Sequence, residues 1–267
     1  MSEKQLSRRD VLNTLLYGVP TIMAVAGGLD TALNRLLPAP ESSKTTSQII
    51  EEIKNKYGID VSQPEKLTNG ETNTPWNTSE LLIIQEALGE VPPITLTNPH
   101  FPKQLHLYKS ASQVGVNGFL NGTGYANSNI DIILTTAFNG TLENTGTEKV
   151  VFGTQKKLLK SILLHETTHS LTESNIELLK TWESSNGWVQ NPDGAWANYY
   201  PEQIIPLANS NLYPWEDMAV SLSVFAENPS YLLKLSKSRY DFFINNPVFQ
   251  NWNKVISYKK KACYYIK

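Results

Sequence analysis

The sequence predicts an α+β fold in which a small, mostly antiparallel sheet is followed by a more helical C-terminal part. Helical spacing of apolar residues marks two segments before residue 93 and returns from residue 154 onwards. Between them, apolar and polar residues alternate over short stretches, as they do in half-buried strands. A run of strands flanked by runs of helices is typical of α+β proteins.

Length and composition limit the partners and the sources of stability. The chain has 267 residues and a formal net charge of −2, so no strong field points to nucleic acid or to an anionic membrane surface. Its single cysteine, Cys263, cannot form an internal disulfide. In an oxidising compartment, stability would therefore have to come from packing or from a metal.

Residues 1–40 are predicted to be an export signal and a linker. The pair Arg8-Arg9 precedes a mildly apolar stretch at 11–28, and the two together resemble a bacterial twin-arginine signal. Small residues at 24–26 form a candidate cleavage site, and an uncleaved anchor or an ordinary amphipathic helix is the alternative. We therefore expect an exported protein, periplasmic or extracellular, with no stable membrane span after signal removal.

The rest of the chain, residues 41–267, is predicted to form one domain with a possible lobe boundary near residue 186. A segment rich in Pro, Ser and Thr opens it and reads as a linker. Two helices are then predicted, at 47–58 and at 77–93, and Ser79 is the expected N-cap of the second.

The middle of the chain is predicted to be β-structure. Alternating residues indicate a strand at 103–110, and an apolar run rich in isoleucine indicates another at 130–138. Asn139-Gly140 after that run is typical of a tight hairpin turn.

Helical periodicity resumes after the predicted sheet. The long stretch 186–214 has no period and contains Gly, Pro and several aromatic residues, so it is predicted to be a long loop or a separate lobe. Helices are predicted at 154–173, 173–185, 215–228 and 246–260.

The strongest chemical signal is the sequence SILLHETTHSL at 161–171. On a helix, His165 and His169 lie one turn apart on the same face, so both can bind one zinc ion. Glu166 is rotated from His165 by about 100°. It would lie beside the ion, where it can take a proton from water activated by the metal.

Two histidines bind zinc poorly, so a third protein ligand is expected. The best candidate is Glu216, in the first turn of a second helix that can rise beside the first. As acids at a helix N-terminus, Glu216 and its neighbour Asp217 could equally serve to stabilise the helix dipole. The alternative third ligands are Asp217, Glu173, Glu183, Glu202 and Asp193.

The HETTH motif followed by Glu-Asp-x-Ala on a later helix resembles the gluzincin branch of the zincin metallopeptidases, of the anthrax lethal factor type. The resemblance covers about residues 130–250. It implies a zincin-like domain whose sheet packs on the motif helix, with one strand, here 129–136, as the edge that binds the substrate backbone. The chain departs from the pattern at Val220, where those relatives have an acid.

Carried over residue by residue, the resemblance implies that His165, His169 and Glu216 bind zinc and that Glu166 is the general base. Peptide hydrolysis also needs a donor to the oxyanion. Because the remaining histidines, His100 and His106, precede the motif, a tyrosine is expected. Tyr213 is the candidate, and Tyr199 and Tyr200 are alternatives.

The sequence as a whole predicts an exported zinc-dependent metallopeptidase that binds one zinc ion per chain and hydrolyses a peptide or protein substrate. Three other interpretations stay open: an inactive zincin-fold binding module, a zinc amidase that acts on peptidoglycan peptides, and a structural protein in which the motif is a coincidence.

Overall fold

A computed structural model of the protein describes residues 44–66, 72–99, 101–110, 116–121, 129–135, 151–207 and 210–265. The predicted export signal and linker at 1–40 and the predicted turn at Asn139-Gly140 lie outside these ranges. Within the described ranges, no helix is long and apolar enough to span a membrane.

The described helices occur before, between and after the strands of a four-stranded sheet. They are α1 (Thr46–Tyr57), α2 (Thr78–Glu90), α3 (Pro93–Leu96), α4 (Gln155–Ser174), α5 (Ile176–Ser185), α6 (Pro214–Glu227), α7 (Pro229–Leu235), α8 (Lys237–Asn245) and α9 (Asn253–Tyr265). Short 3-10 helices occur at Pro201–Gln203 and Pro247–Phe249. The α+β class is confirmed, and the described part of the chain is mostly helical.

Side-chain caps fix where the first two helices begin. Thr45 caps α1 in a capping box with Gln48, and Gly58 ends this helix with a left-handed φ of 67°. The N-cap of α2 is Asn77, so the prediction of Ser79 was wrong. Asn77 accepts a hydrogen bond from the Glu80 amide at 3.0 Å, and the Glu80 carboxylate accepts one from the Asn77 amide at 2.8 Å.

The sheet contains β1 (Asp60–Ser62), β2 (Gln104–Ser110), β3 (Val116–Asn121) and β4 (Asn129–Thr135) in the order β1-β2-β4-β3. Pairs β1–β2 and β2–β4 are parallel, and only β3–β4 is antiparallel. The predicted mostly antiparallel sheet was therefore wrong. The physical reason is that alternation reports which face a residue occupies, whereas strand direction depends on the connections. Here α2 and α3 connect β1 to β2 as a crossover.

The prediction that the strand at 129–136 forms a sheet edge was also wrong. This strand, β4, lies between β2 and β3, and Ile130 and Ile132 are buried. Its apolar run suits a position with a neighbour on each side. Among the described strands, β3 is an edge, and it runs antiparallel to β4.

Helix α4 contacts both the sheet and other helices of the described residues. It packs on β3 and β4, on α2 and, most extensively, on α6. Leu159, Leu163 and Leu164 on this helix are buried in the main apolar core. A cluster of aromatic residues extends that core below α6, with Phe225 in contact with Phe243 and Trp252.

The stretch 186–214 contains a small antiparallel hairpin, β5 (Trp188–Gln190) with β6 (Trp196–Asn198). Periodicity missed this hairpin because its strands have only three residues each. It also missed α7 and α8, which are short and begin with Asn228 and Ser236 caps. The predicted helical C-terminal part is confirmed and contains more helices than expected.

Candidate metal centre

Helix α4 brings the two motif histidines together. It begins at a Thr154 cap and continues without interruption through the motif. His165 and His169 lie one turn apart, with ring centroids separated by 4.7 Å and Nε2 atoms separated by 3.0 Å. The Nε2 atoms of the two imidazoles thus lie close enough to bind one metal ion.

Helix α6 supplies a carboxylate to the same place. The Glu216 carboxylate lies 3.3 Å from His165 Nε2 through Oε2 and 3.5 Å from His169 Nε2 through Oε1. Glu216 is the third residue of the helix, the position from which a glutamate usually reaches back to the N-cap amide. Glu80 does this in α2, whereas α6 begins with no side-chain cap. The Glu216 carboxylate contacts the two histidines instead.

The surroundings set the charges of this group. Burial, and then the neighbouring His165, lower the pKa of His169 to about 4. For Glu216, burial opposes ionisation, but His165 and His169 outweigh it and hold its pKa below the ordinary value. At neutral pH, His169 is therefore neutral and Glu216 is ionised, and these are the forms that bind metal ions.

The geometry fits a metal ion of zinc size. In a tetrahedral site with zinc–nitrogen bonds of about 2.0–2.1 Å, neighbouring ligand atoms are about 3.3 Å apart. Here the two Nε2 atoms are 3.0 Å apart, one Glu216 oxygen lies 3.3 Å from His165 Nε2, and the other lies 3.5 Å from His169 Nε2. The side chains of His165, His169 and Glu216 are 14 %, 13 % and 19 % exposed, so the group can be reached from solvent. It could therefore hold a metal ion.

The other proposed third ligands are not part of this group. Within the described ranges, no second set of three His, Cys, Asp or Glu side chains converges in this way. Asp217, the nearest alternative, is fully buried and directs its carboxylate to Arg239 and Trp188.

Glu166 follows His165 on α4 and is buried. It makes interactions of its own. Val220, where the resemblance would place an acid, is buried in the apolar core. Because Asp217 binds Arg239, it does not take over the role of that acid by direct contact with a histidine.

Tyr213 occupies the N-cap position of α6, one turn before Glu216. Its side chain is 41 % exposed, and its ring stacks on Trp215 with centroids 4.7 Å apart. Trp215 meets Trp196 of the hairpin edge-on, at 6.3 Å. Tyr213 is thus near Glu216 along the chain, and its ring packs on aromatic residues.

The other candidate donors differ in position. Tyr199 and Tyr200, which follow β6, are both exposed. His106 lies on the sheet, where its Nδ1 is 3.0 Å from an Asp131 oxygen. His100 lies outside the described residues.

Sequence reasoning missed the partners of Asp217. Arg239 lies on α8, which was not predicted, and Trp188 lies in the stretch without periodicity. No local signal marks Arg239, because Lys237, Ser238 and Asp241 around it are polar and make it look like a residue of an exposed helix.

No protein-family model, curated protein or solved structure matches the chain. The resemblance to gluzincins is therefore limited to the motifs.

Proposed function

We propose that the protein is a zinc-dependent metallopeptidase with a zincin-like catalytic domain. One observation carries the proposal: His165 and His169 of the HETTH helix and Glu216 of α6 converge with separations that suit zinc. Neutral imidazoles and a carboxylate are a usual zinc ligand set, and three protein ligands leave a fourth position open.

In this proposal, His165, His169 and Glu216 hold one zinc ion per chain. When bound, zinc would lower the pKa of a water molecule and polarise the substrate carbonyl. Glu166 takes the proton of the attacking water and then gives a proton to the nitrogen of the leaving amine. The Glu166 carboxylate is thus regenerated after each turnover.

Two further roles complete the proposed mechanism. The Tyr213 hydroxyl donates to the oxyanion, a role supported by its exposure and by its position one turn before Glu216 in the chain. The substrate backbone adds to β3, the antiparallel edge strand among those described, which packs on the motif helix.

The proposal includes export. Residues 1–40 act as a twin-arginine type signal and linker, and 41–267 form the metallopeptidase domain outside the cytoplasm. The composition of the N-terminal segment supports this part of the proposal.

A metal-dependent binding module is the second candidate. The burial of Glu166 favours it, because a general base must reach water and substrate. The valine at position 220 favours it as well, because an acid there would orient a ligand histidine. A zinc amidase acting on peptidoglycan peptides would use the same residues on a different substrate.

Glu166→Gln tests the proposal. The purified wild type, loaded with zinc, is assayed on casein and on muropeptides. The metallopeptidase predicts casein cleavage that Glu166→Gln abolishes while zinc content stays unchanged. Cleavage of muropeptides alone would indicate the amidase. No hydrolysis by a zinc-loaded wild type would leave the binding module.

A further inference from the structure

We propose that the buried Asp217–Arg239 pair is a positioning unit that aims Glu216 at the two histidines. This inference rests on the proposed zinc site, because Glu216 is one of its ligands. Neither Asp217 nor Arg239 would touch the metal. They act by fixing the first turn of α6.

The Asp217 and Arg239 side chains are fully buried and form a bidentate hydrogen-bonded ion pair. Arg239 Nε lies 3.0 Å from Asp217 Oδ1 and 3.1 Å from Oδ2, and Nη2 donates to Oδ2 at 3.0 Å. Trp188 Nε1 donates to the same Oδ2 at 2.9 Å. Both charged side chains are 0 % exposed. The direction of the Asp217 carboxylate is therefore set by three donors on two other elements.

Arg239 is itself held in place. Its Nη1 donates to Ser236 Oγ at 3.3 Å, and its guanidinium lies over the Trp182 ring at 6.0 Å. Ser236 is the N-cap of α8, and Trp182 lies on α5. Asp217 is thus tied to α5, α8 and the hairpin that begins at Trp188.

Asp217 and Glu216 are consecutive residues in the first turn of α6. Consecutive side chains leave a helix about 100° apart. One carboxylate therefore faces α4 and the other faces Arg239. Any rotation of this turn that moved Glu216 from its histidines would also pull Asp217 away from its donors.

The first turn has few other polar anchors. Among the described side chains, none caps α6, and its N-cap residue, Tyr213, is half-exposed. The Glu216 carboxylate is engaged with His165 and His169. The hydrogen bonds of Asp217 with Arg239 and Trp188 therefore take the place of a side-chain cap and fix the rotation of the first turn of α6.

Stability alone does not account for such a pair. Burying two charges costs free energy that their attraction only roughly offsets, and an apolar pair of similar size is often as stable. What a bidentate arginine–carboxylate contact adds is a fixed geometry. Here that geometry is imposed on the residue beside a metal ligand.

Three variants of the full chain test the inference. Trp188→Phe keeps an aromatic ring but removes one donor to Asp217. The double variant Asp217→Leu/Arg239→Met replaces the pair by apolar side chains. The control, Glu80→Gln/Lys109→Met, removes another buried ion pair with a separation of 2.8 Å, between α2 and β2. Zinc affinity is measured by competition with a chromophoric chelator, together with Co²⁺ absorption and thermal unfolding.

We expect the double variant to bind zinc about 10- to 100-fold more weakly and Trp188→Phe about 10-fold more weakly. Their Co²⁺ spectra should change, and the control should keep wild-type affinity and spectrum even where its unfolding temperature falls. Wild-type affinity and spectrum in Trp188→Phe, or an equal loss in the control, would overturn the inference. A wild type that binds no zinc would overturn the proposed function as well, and that result is distinct.

Discussion

At the scale of single residues, Glu216 forgoes the hydrogen bond to the N-cap amide that its helix position favours and contacts the two histidines. Gln48 in α1 and Glu80 in α2 occupy the same helix position and accept hydrogen bonds from their N-cap amides. Glu216 instead turns to His165 and His169. A conflict between local helix capping and side-chain direction is expected at functional positions.

Lys160 is a second residue whose environment can be tested. Its side chain is nearly buried and lies 2.7 Å from Glu90, 3.1 Å from Glu86 and 3.3 Å from Glu227. Glu86 also pairs with Lys156 and Glu90 with Lys254, so removal of Lys160 mainly takes the neighbouring cation from the buried Glu227 carboxylate, which is costly in a buried ion pair. We predict that Lys160→Met lowers the free energy of unfolding by about 3–5 kcal/mol, measured by urea denaturation.

Lys156 provides the matched control, one turn earlier on the same helix. It pairs with Glu86 at 2.8 Å, but both side chains are about half-exposed. Lys156→Met should therefore cost less than about 1 kcal/mol. An equal loss of unfolding free energy in the two variants would show that the buried ion pairs of Lys160 stabilise the protein no more than the exposed pair of Lys156.

The same cluster predicts a pH dependence. Burial opposes the charge of Lys160, but Glu90, Glu227 and Glu86 outweigh it and raise the pKa of Lys160 above its ordinary value. A raised folded-state pKa gives stability that is present below the unfolded-state pKa and is lost as the pH rises through the folded-state value. The difference in stability between wild type and Lys160→Met should thus shrink above about pH 10.4. A constant difference from pH 8 to 11.5 in urea titrations would contradict this.

At the scale of elements, the start of α2 gives a direct comparison of two candidate caps. Asn77 exchanges hydrogen bonds with Glu80, whereas Ser79 is exposed on the first turn. We predict that Asn77→Ala lowers the free energy of unfolding by about 1 kcal/mol. Ser79→Ala, the control, should change it far less, and the reverse order in thermal unfolding would refute the assignment.

How far elements could be predicted depended on their length and connections. The long helix at Gln155–Ser174 was found from sequence, because Leu158, Leu159, Ile162 and Leu163 recur at helical spacing in its first half. The strands β5 and β6 have three residues each, too few for a period to emerge. The parallel pairing of β2 with β4 was missed because it depends on the route of the chain between them.

The site was predictable to the extent that it is local. His165 and His169 share one helix face, a fact that spacing alone reveals. The sequence favoured Glu216 over Asp217 but left Asp217 open, because spacing does not reveal which way α6 is rotated. In the structure the Asp217 carboxylate faces Arg239, a distant residue on a helix that the sequence did not reveal.

At the scale of the whole molecule, the candidate metal centre joins two parts of the chain. Helix α4 packs on the sheet, and α6 packs on α4 and on the C-terminal helices. A ligand that binds the folded chain and not the unfolded chain stabilises it by mass action. Zinc held between α4 and α6 should therefore stabilise the protein against unfolding.

We predict that free zinc at 100-fold above its Kd raises the free energy of unfolding by about 2.7 kcal/mol. For a chain of this size, thermal unfolding should shift upwards by several degrees and return after chelation. Mg²⁺, which prefers all-oxygen sites, is the control ion and should give no shift. An equal shift with Mg²⁺ would argue against a site made by two imidazoles.

The most direct test of the central claim is the zinc content of the purified full chain, measured by elemental analysis after zinc loading and dialysis. We predict about one zinc per wild-type chain, far less in Glu216→Ala, and the wild-type value in Glu202→Ala, which removes an exposed glutamate. Equal zinc in wild type and Glu216→Ala, or none in a folded wild type, would contradict the assignment of His165, His169 and Glu216 as a metal site.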